Sequence, residues 1–346
     1  MYSGAMLKVR TMIKRQRIPQ PANRQQGFSM VELLVAMVVG LIIIGGAFSL
    51  HTKARDTQMT NEMQMDMVAD ARFALEMISY DLRHAGMWGG TNRANLIECK
   101  STDPACTPTS SNDTPPTPGL ATNDCAAGWY YDLTNPVFAF DNSVVNPYSG
   151  SCIPASEGQV DKTDILLVRY ADSNLPMALR ANQVYIRSNN INGRVFVGAT
   201  PPVLSAYDTS AVTNNHELRA YAYYVSDHTD APGDGIPSLR RVALVNGPTL
   251  QNQTLISGVE DFQVRFGVMP AGATGIVRYV DPDEVSDWSE VYSARVWLLM
   301  RSDEKQIGMD TTKSFSIAGA PAATYGGQDD YRYFLVSTVV NLRNTR

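Results

Sequence analysis

An apolar run extends from Phe28 to Leu50 and contains a single charged residue, Glu32. Its 23 residues suffice to cross a bilayer as a helix, which takes about 20 residues. Residues 1–27 contain no acidic side chain and carry six cations: Lys8, Arg10, Lys14, Arg15, Arg17 and Arg24. A basic flank of this kind stays on the cytoplasmic side of a membrane. The pattern therefore predicts a membrane anchor over residues 28–50, with the remainder of the chain on the opposite side.

Beyond the anchor, apolar residues recur every three or four positions, which is typical of one face of an amphipathic helix. The members of this stripe are Met63, Met67, Ala71, Ala74, Ile78, Leu82 and Ala85. The opposite face carries Glu62, Asp66, Asp70, Arg72 and Glu76. No proline lies between residues 28 and 85, and Gly86 suits a helix C-terminus. We predict a helix over residues 28–86 whose stripe packs on a globular head.

Residues 161–346 contain many segments of strand composition, separated by turn-forming residues. The predicted strands are 164–170, 183–188, 193–198, 217–225, 239–245, 260–268, 291–301 and 331–342. None alternates regularly with a helix, which disfavours a parallel doubly wound sheet. We therefore predict an α+β fold, in which a long N-terminal helix packs on an antiparallel sheet.

A loop-rich region, residues 87–160, separates the helix from the β-rich part of the head at 161–346. All four cysteines lie in it: Cys99, Cys106, Cys125 and Cys152. An even number of cysteines in an extracytoplasmic, loop-rich segment predicts two disulfides. We favour Cys99–Cys106 and Cys125–Cys152, because sequence neighbours close small loops. A zinc site is the alternative, but the cluster has neither a CxxC spacing nor a histidine.

Glu32 needs a partner, because an ionised carboxylate in hydrocarbon costs roughly 2–4 kcal/mol. The nearest conceivable partner is the amine released by cutting the chain between Gly27 and Phe28. A secretory signal peptide would be cut after its apolar stretch, whereas this cut precedes it and leaves the anchor in place. The alternative is an ordinary single-pass anchor with a glutamate near one end.

The segment GFSMVELLVA, Gly27–Ala36, resembles the processing site of type IV prepilins. The later segments at 71–89, 234–241, 256–268, 294–302 and 336–344 are similar, in family order, to PilW-type minor pilins. The resemblance implies a type IV pilin-like fold and a leader, 1–27, that a prepilin peptidase removes. It also implies methylation of the new N-terminus at Phe28, and a role for Glu32 in pairing with the amine of a neighbouring subunit.

Charge argues against nucleic acid as the main partner. The whole chain has a net charge of −5. Because the leader holds six cations and no anions, residues 28–346 have a net charge of −11. A local basic patch at Arg240–Arg241 that could bind DNA remains an alternative.

We find no sequence motif typical of an enzyme: no Walker A loop, GxSxG elbow, HExxH or GxGxxG occurs. No cofactor is predicted. Two acidic loops, 226–235 and 280–288, could offer oxygen ligands to calcium. Neither follows the EF-hand pattern, and turn formation explains their Asp, Pro and Gly content equally well.

The resemblance implies a minor pilin that helps to initiate a type IV pilus and lies at or near its tip. Its expected partners are prepilin peptidase, other minor pilins, the major pilin and a tip adhesin. The expected location is the bacterial inner membrane with a periplasmic head, and later the surface pilus. Three alternatives remain open: a minor pseudopilin of a type II secretion system, a pilus-borne adhesin or DNA receptor, and a membrane-anchored enzyme.

Overall fold

The computed structural model describes residues 27–99, 129–141, 143, 145–148, 152–204, 212–247, 249–269, 278–306, 312–326 and 330–345. The chain divides into two compact units, residues 1–60 and 61–346. One helix, α1 (Met30–His84), contributes residues to both. In the first unit its apolar side chains are exposed, and the helix is long and apolar enough to cross a membrane.

The second unit contains an eight-stranded sheet, sheet A, around the long strand β6 (Asn214–Ser226). The other strands of sheet A are β1 (Ile97–Glu98), β2 (Val137–Phe140), β3 (Ile165–Ala171), β4 (Val184–Ser188), β5 (Gly193–Val197), β7 (Ser238–Val245) and β8 (Thr249–Ser257). The order is β1-β5-β4-β6-β3-β2, with β7 on β6 and β8 on β7. Its strand pairs are antiparallel except β1 with β5. A long connection joins β1 to β5, so hairpin geometry does not fix their relative direction.

A four-stranded antiparallel sheet, sheet B, has the order β10-β9-β11-β14. Its strands are β9 (Val259–Val268), β10 (Arg278–Val280), β11 (Val291–Arg301) and β14 (Tyr333–Asn341). A hairpin of β12 (Thr312–Phe315) and β13 (Ala323–Gly326) completes the strands of the described residues. Short 3-10 helices occupy Ala94–Leu96, Trp129–Tyr131, Ala155–Glu157, Pro282–Glu284 and Trp288–Glu290. The predicted α+β class, with a long apolar N-terminal helix and a β head, is confirmed.

The main core lies between α1 and both sheets. On α1 the buried residues include Met67, Ala71, Ala74, Ile78 and Leu82, while Met63 is half-buried. They pack with residues of sheet B such as Phe262 and Leu298, and with residues of sheet A such as Val168 and Tyr223. Each fully buried large aliphatic side chain contributes roughly 1.5–3 kcal/mol. Packing of this stripe therefore fixes α1 on the head.

Each sheet also has a second apolar cluster on the face turned away from α1. Sheet A covers this face with Trp88, Trp129 and Tyr130, which belong to the region predicted to be loop-rich. Sheet B packs Trp297 and Leu299 against Ile317, which lies in the loop between β12 and β13. The segment after the helix thus supplies core as well as loops.

Gly86 and Asn344 cap the C-terminal end of α1. Gly86 follows the helix with a φ of +79°, in the left-handed region that favours glycine. A Cβ at this position would lie 2.5 Å from the backbone oxygen of Asn344. The Asn344 side chain donates to the carbonyl of Arg83 at 3.1 Å, so the chain end caps the helix.

Truncating side chains of α1 tests how much the buried stripe contributes to stability. Ile78→Ala should lower the free energy of unfolding by about 2–4 kcal/mol, because Ile78 is fully buried and its loss leaves a cavity. Phe73→Ala removes a larger side chain from the exposed face of the same helix. It should change the free energy of unfolding by only about 0.5 kcal/mol. Urea unfolding followed by tryptophan fluorescence measures both; equal losses would contradict the packing described here.

Candidate functional site

The predicted processing site lies at the start of α1. Gly27, Phe28 and Ser29 precede the first helical residue, and a Cβ built on Gly27 would meet no atom of the described residues within 4 Å. Phe28 is 81% exposed. Ser29 begins the helix: its carbonyl accepts from Leu33 N–H at 3.1 Å and its Oγ from Val31 N–H at 3.3 Å.

Glu32 lies in the first turn of α1 and is exposed. A carboxylate is favoured there, because the first turn presents backbone N–H groups and the positive end of the helix dipole. Gly27, Phe28 and Glu32 therefore all lie within the first unit, at one end of the helix. Their processing and assembly roles stay predictions.

A second site, not predicted from the sequence, joins α1 to sheet A. Asp81 projects from the buried side of α1 and is 3% exposed. Its carboxylate accepts hydrogen bonds from the hydroxyl groups of Tyr170, at 2.7 Å, and Tyr223. We call these three residues the Asp81 clamp. Burial is the main cause that raises the pKa of the Asp81 carboxyl above its ordinary value, although both tyrosine hydrogen bonds oppose it.

A cation, Arg241, lies beside the clamp and has a side-chain hydrogen bond with Tyr223. The Arg241 guanidinium stacks on the ring of Tyr221 at 4.2 Å, and its Nε donates to Gln253 Oε1 at 2.9 Å. Its charge lowers the pKa of Asp81, against the larger effect of burial. A carboxylate within the apolar stripe, three residues after Ile78, is the sequence signal that could have revealed the clamp.

The suggested basic patch at Arg240–Arg241 is not a surface feature. Arg240 is 7% exposed, and its NH1 pairs with Glu157 Oε2 at 2.6 Å. Its NH2 also donates to the carbonyl of Thr229 at 2.8 Å. Arg241 is half-buried and stacks on Tyr221, so both guanidinium groups have partners within the protein.

Turn chemistry accounts for the two acidic loops. The Asp234 oxygens accept from the backbone N–H groups of Asp230, at 2.8 Å, and Ile236, at 2.9 Å, which lowers the pKa of this carboxyl. In the other loop, Asp281 pairs with Arg265 at 2.7 Å and Asp287 caps Ser289 N–H at 2.8 Å. Within the part of the chain that the structure describes, no three His, Cys, Asp or Glu side chains converge as metal ligands.

A Ser, an Asp and a His lie together at residues 226–228 but do not form a catalytic relay. His228 Nδ1 contacts Asp227 Oδ1 at 2.7 Å and Ser226 Oγ at 3.4 Å. A relay needs the serine on one ring nitrogen and the carboxylate on the other. His228 is 3% exposed, and this group connects the end of β6 to the following turn.

Two of the four cysteines lie among the described residues. Cys99 and Cys152 are both buried and disulfide-bonded. Cys106 and Cys125 lie outside the described residues. The pairing of Cys99 with Cys106 and of Cys125 with Cys152 therefore stays a prediction.

Comparison with known proteins identifies two regions of the chain. Residues 222–344 match the PilW family, described as Type IV Pilus-assembly protein W. Residues 22–48 match the prokaryotic N-terminal methylation motif. The chain is therefore similar to PilW-type proteins over residues 222–344 and to prepilins at residues 22–48. It is also similar to a solved structure, a type IV-like pilin from Thermus thermophilus: identity is 14%, coverage is 56% of this chain and 82% of that chain, and the TM-score is 0.26. No curated protein gives a significant match.

The segment that matches the PilW family begins inside β6 and ends just after β14. It contains Tyr223 of the clamp, whereas Asp81 and Tyr170 precede it. The methylation motif spans Gly27, Phe28 and Glu32.

The clamp predicts a pH-dependent stability. The folded pKa of Asp81 lies above the unfolded one, so its contribution to stability is complete below about pH 4 and is lost as pH rises through the folded pKa. Asp81→Asn removes this ionisation. The variant should therefore gain stability relative to the wild type between about pH 4 and pH 7, as measured by urea unfolding across that range.

Glu76→Gln is the matched control, because it makes the same change in charge on the exposed face of the same helix. If the free energies of unfolding of the wild type and Asp81→Asn differ by the same amount at every pH in this range, Asp81 is not a buried carboxyl that titrates there.

Proposed function

We propose that this chain is a minor pilin, a structural subunit that helps to initiate assembly of a type IV pilus and lies at or near its tip. A prepilin peptidase would cut between Gly27 and Phe28, and the new amine would be methylated. Before assembly the apolar part of the helix would anchor the protein in the inner membrane, with the head in the periplasm.

The observation that carries this proposal is the division of one helix into two chemically different parts. Residues 28–50 present exposed apolar side chains, whereas the stripe from Met67 to Leu82 is buried in the head. An apolar surface of that size calls for a lipid or protein environment. A helix that can exchange lipid for neighbouring helices while its head stays folded meets the requirement of pilus assembly.

Glu32 would guide docking by pairing with the N-terminal amine of an adjacent pilin. Both charges would be poorly solvated within the apolar surroundings, so their attraction would be stronger than in water. The remaining contacts along residues 33–50 would be apolar packing with other minor pilins and the major pilin.

The size of the head favours the tip. Residues 87–346 amount to about 260 residues, far more than the head of a typical major pilin. Such bulk fits poorly into a repeated shaft subunit but is tolerated at the end of a filament, where a tip adhesin could also be held.

The charge-pairing step can be tested with an isosteric change. Glu32→Gln should mature normally, because the peptide bond between Gly27 and Phe28 is unaltered, but should enter pili at a level reduced at least about tenfold. One lost ion pair of about 1.4 kcal/mol corresponds to that factor. The measurement is immunoblotting of sheared pili against whole cells.

Glu62→Gln is its control, since it neutralises an exposed carboxylate on the same helix beyond the apolar run. Wild-type incorporation of Glu32→Gln would refute charge pairing, whereas failure of both variants would indicate a general sensitivity of the helix to lost charge.

Initiation predicts a particular genetic result. Deleting the gene should abolish surface pili, and disabling the retraction motor in the same strain should restore them in part, because rare unassisted initiation events then persist. Electron-microscopic counting of pili measures this. Unchanged pili in both strains would overturn the initiation role and favour a type II secretion pseudopilin or an accessory adhesin.

A further inference from the structure

Strand β14 forms an open edge of sheet B. It pairs with β11 on one side, and no other described strand pairs with it. Leu342 N–H donates to Tyr292 O at 2.7 Å, and Ser302 N–H donates to Arg332 O at 2.9 Å. Since antiparallel pairs alternate, the even-numbered residues of β14 direct their backbone groups to β11. The backbone groups of the odd-numbered residues point outward.

A hydrogen bond at Tyr333 confirms that the backbone groups of the odd-numbered residues point away from β11. The carbonyl of Tyr333 accepts from Lys313 Nζ at 3.3 Å, across the open edge. Among the described residues, the outward backbone groups of Leu335, Ser337 and Val339 have no hydrogen-bond partner. This edge therefore offers a row of donors and acceptors to an added strand.

The sequence of β14 lacks the usual protection of an edge. Its nine residues, YFLVSTVVN, include no charge and no proline. The opposite edge of sheet B, β10, has only three residues, and the edge strand β8 of sheet A carries Gln251, Asn252 and Gln253. Phe334 and Val339 on β14 are 38% and 51% exposed. A long apolar edge without charged residues or proline is suited to pairing with another chain.

A groove of about 620 Å³ lies beside the start of this edge, between β14 and the α1 residues 61–72. Met65, Val68 and Phe334 supply its apolar surface. Its charged lining residues are Arg72, Lys313 and Arg332, with no carboxylate. Three cations around an apolar groove are notable in a chain whose mature net charge is −11.

The other flank of α1 has the opposite character. A smaller groove of about 210 Å³ is lined there by Asp66, Asp70, Asp303 and Glu304, with Arg301 as its cation. An acidic segment would be repelled from that flank and attracted to the β14 flank. Charge thus directs an acidic partner to the open edge.

We infer that β14 and the adjoining basic groove form a docking site for an extended segment of a partner protein, one with apolar side chains flanked by carboxylates. The segment pairs with the outward backbone groups of β14 as a fifth strand of sheet B. On its α1 side, apolar side chains enter the groove beside Met65 and Phe334, while carboxylates face Arg72 and Arg332. This inference goes beyond the proposed function and does not depend on it.

The test uses the full mature chain, residues 28–346, in detergent micelles, and a fluorescent peptide, Glu-Thr-Val-Thr-Val-Thr-Glu, as the probe. Fluorescence anisotropy measures its Kd. We expect the peptide to bind at least about tenfold more tightly than its counterpart with lysines in place of the glutamates, which corresponds to one favourable ion pair or more. Methylating alternate backbone nitrogens of the probe should abolish binding, because strand pairing needs those N–H groups.

Two variants locate the site on the protein. Ser337→Pro removes an outward N–H without breaking the ladder to β11, and should weaken binding about tenfold. Arg72→Glu reverses an exposed cation of the groove and should have a similar effect. Arg278→Glu makes the same change in charge on β10, at the far edge of sheet B, and should bind like the wild type.

Equal binding of the acidic and lysine peptides would overturn the inference. So would wild-type binding by both Ser337→Pro and Arg72→Glu. A dimer of the mature chain that Ser337→Pro dissociates would replace the foreign segment by a second copy and also refute it. Should Ser337→Pro fail to fold, Arg72→Glu and the methylated probe decide the question. Pilus counts would not change with any of these outcomes, so failure here is distinct from failure of the proposed function.

Discussion

The buried stripe of α1 is the contact on which the head depends. Sheets A and B meet beneath it, and Tyr223 of sheet A and Phe262 of sheet B pack into the same core. Asp164 reinforces the junction of the sheets: its N–H donates to Phe262 O at 2.9 Å, and its carboxylate accepts from Val264 N–H at 2.6 Å. Neither sheet alone would bury its inner face, since each needs the helix as its cover.

Apolar packing fixes α1 on the head, but it specifies the register less strictly than hydrogen bonds do, because the buried stripe includes small alanines and the flexible Met67 beside Ile78 and Leu82. The Asp81 clamp adds direction. Two tyrosine hydroxyl groups must reach one carboxylate, and a buried charge left without donors costs several kcal/mol. The clamp thus adds little net stability and penalises wrong registers, which is the usual role of a satisfied polar group within an apolar interface.

Sequence periodicity predicted the elements that bury a full face and missed those that do not. The stripe from Met67 to Leu82 and strands such as β3 and β11 carry strong patterns because their burial is nearly continuous. Strands β1 and β10 are too short to show a period, and β8 is a mostly half-buried, amide-rich edge whose burial does not alternate. The processing site was predicted because it is local in sequence. The clamp was not, because Tyr170 and Tyr223 approach Asp81 only when β3 and β6 pair beneath the helix.

Among the described residues, the apolar helix surface and the β14 edge are both uncovered but differ in the surroundings that they require. The apolar run of residues 28–50 is exposed on every side, so its natural surroundings are non-directional: lipid, or a bundle of like helices. The edge of β14 is instead directional, because its donors and acceptors accept only another backbone in register and its groove accepts only one sign of charge. In the proposed pilus subunit, the helix would hold the protein in the filament and the head would distinguish one partner from another.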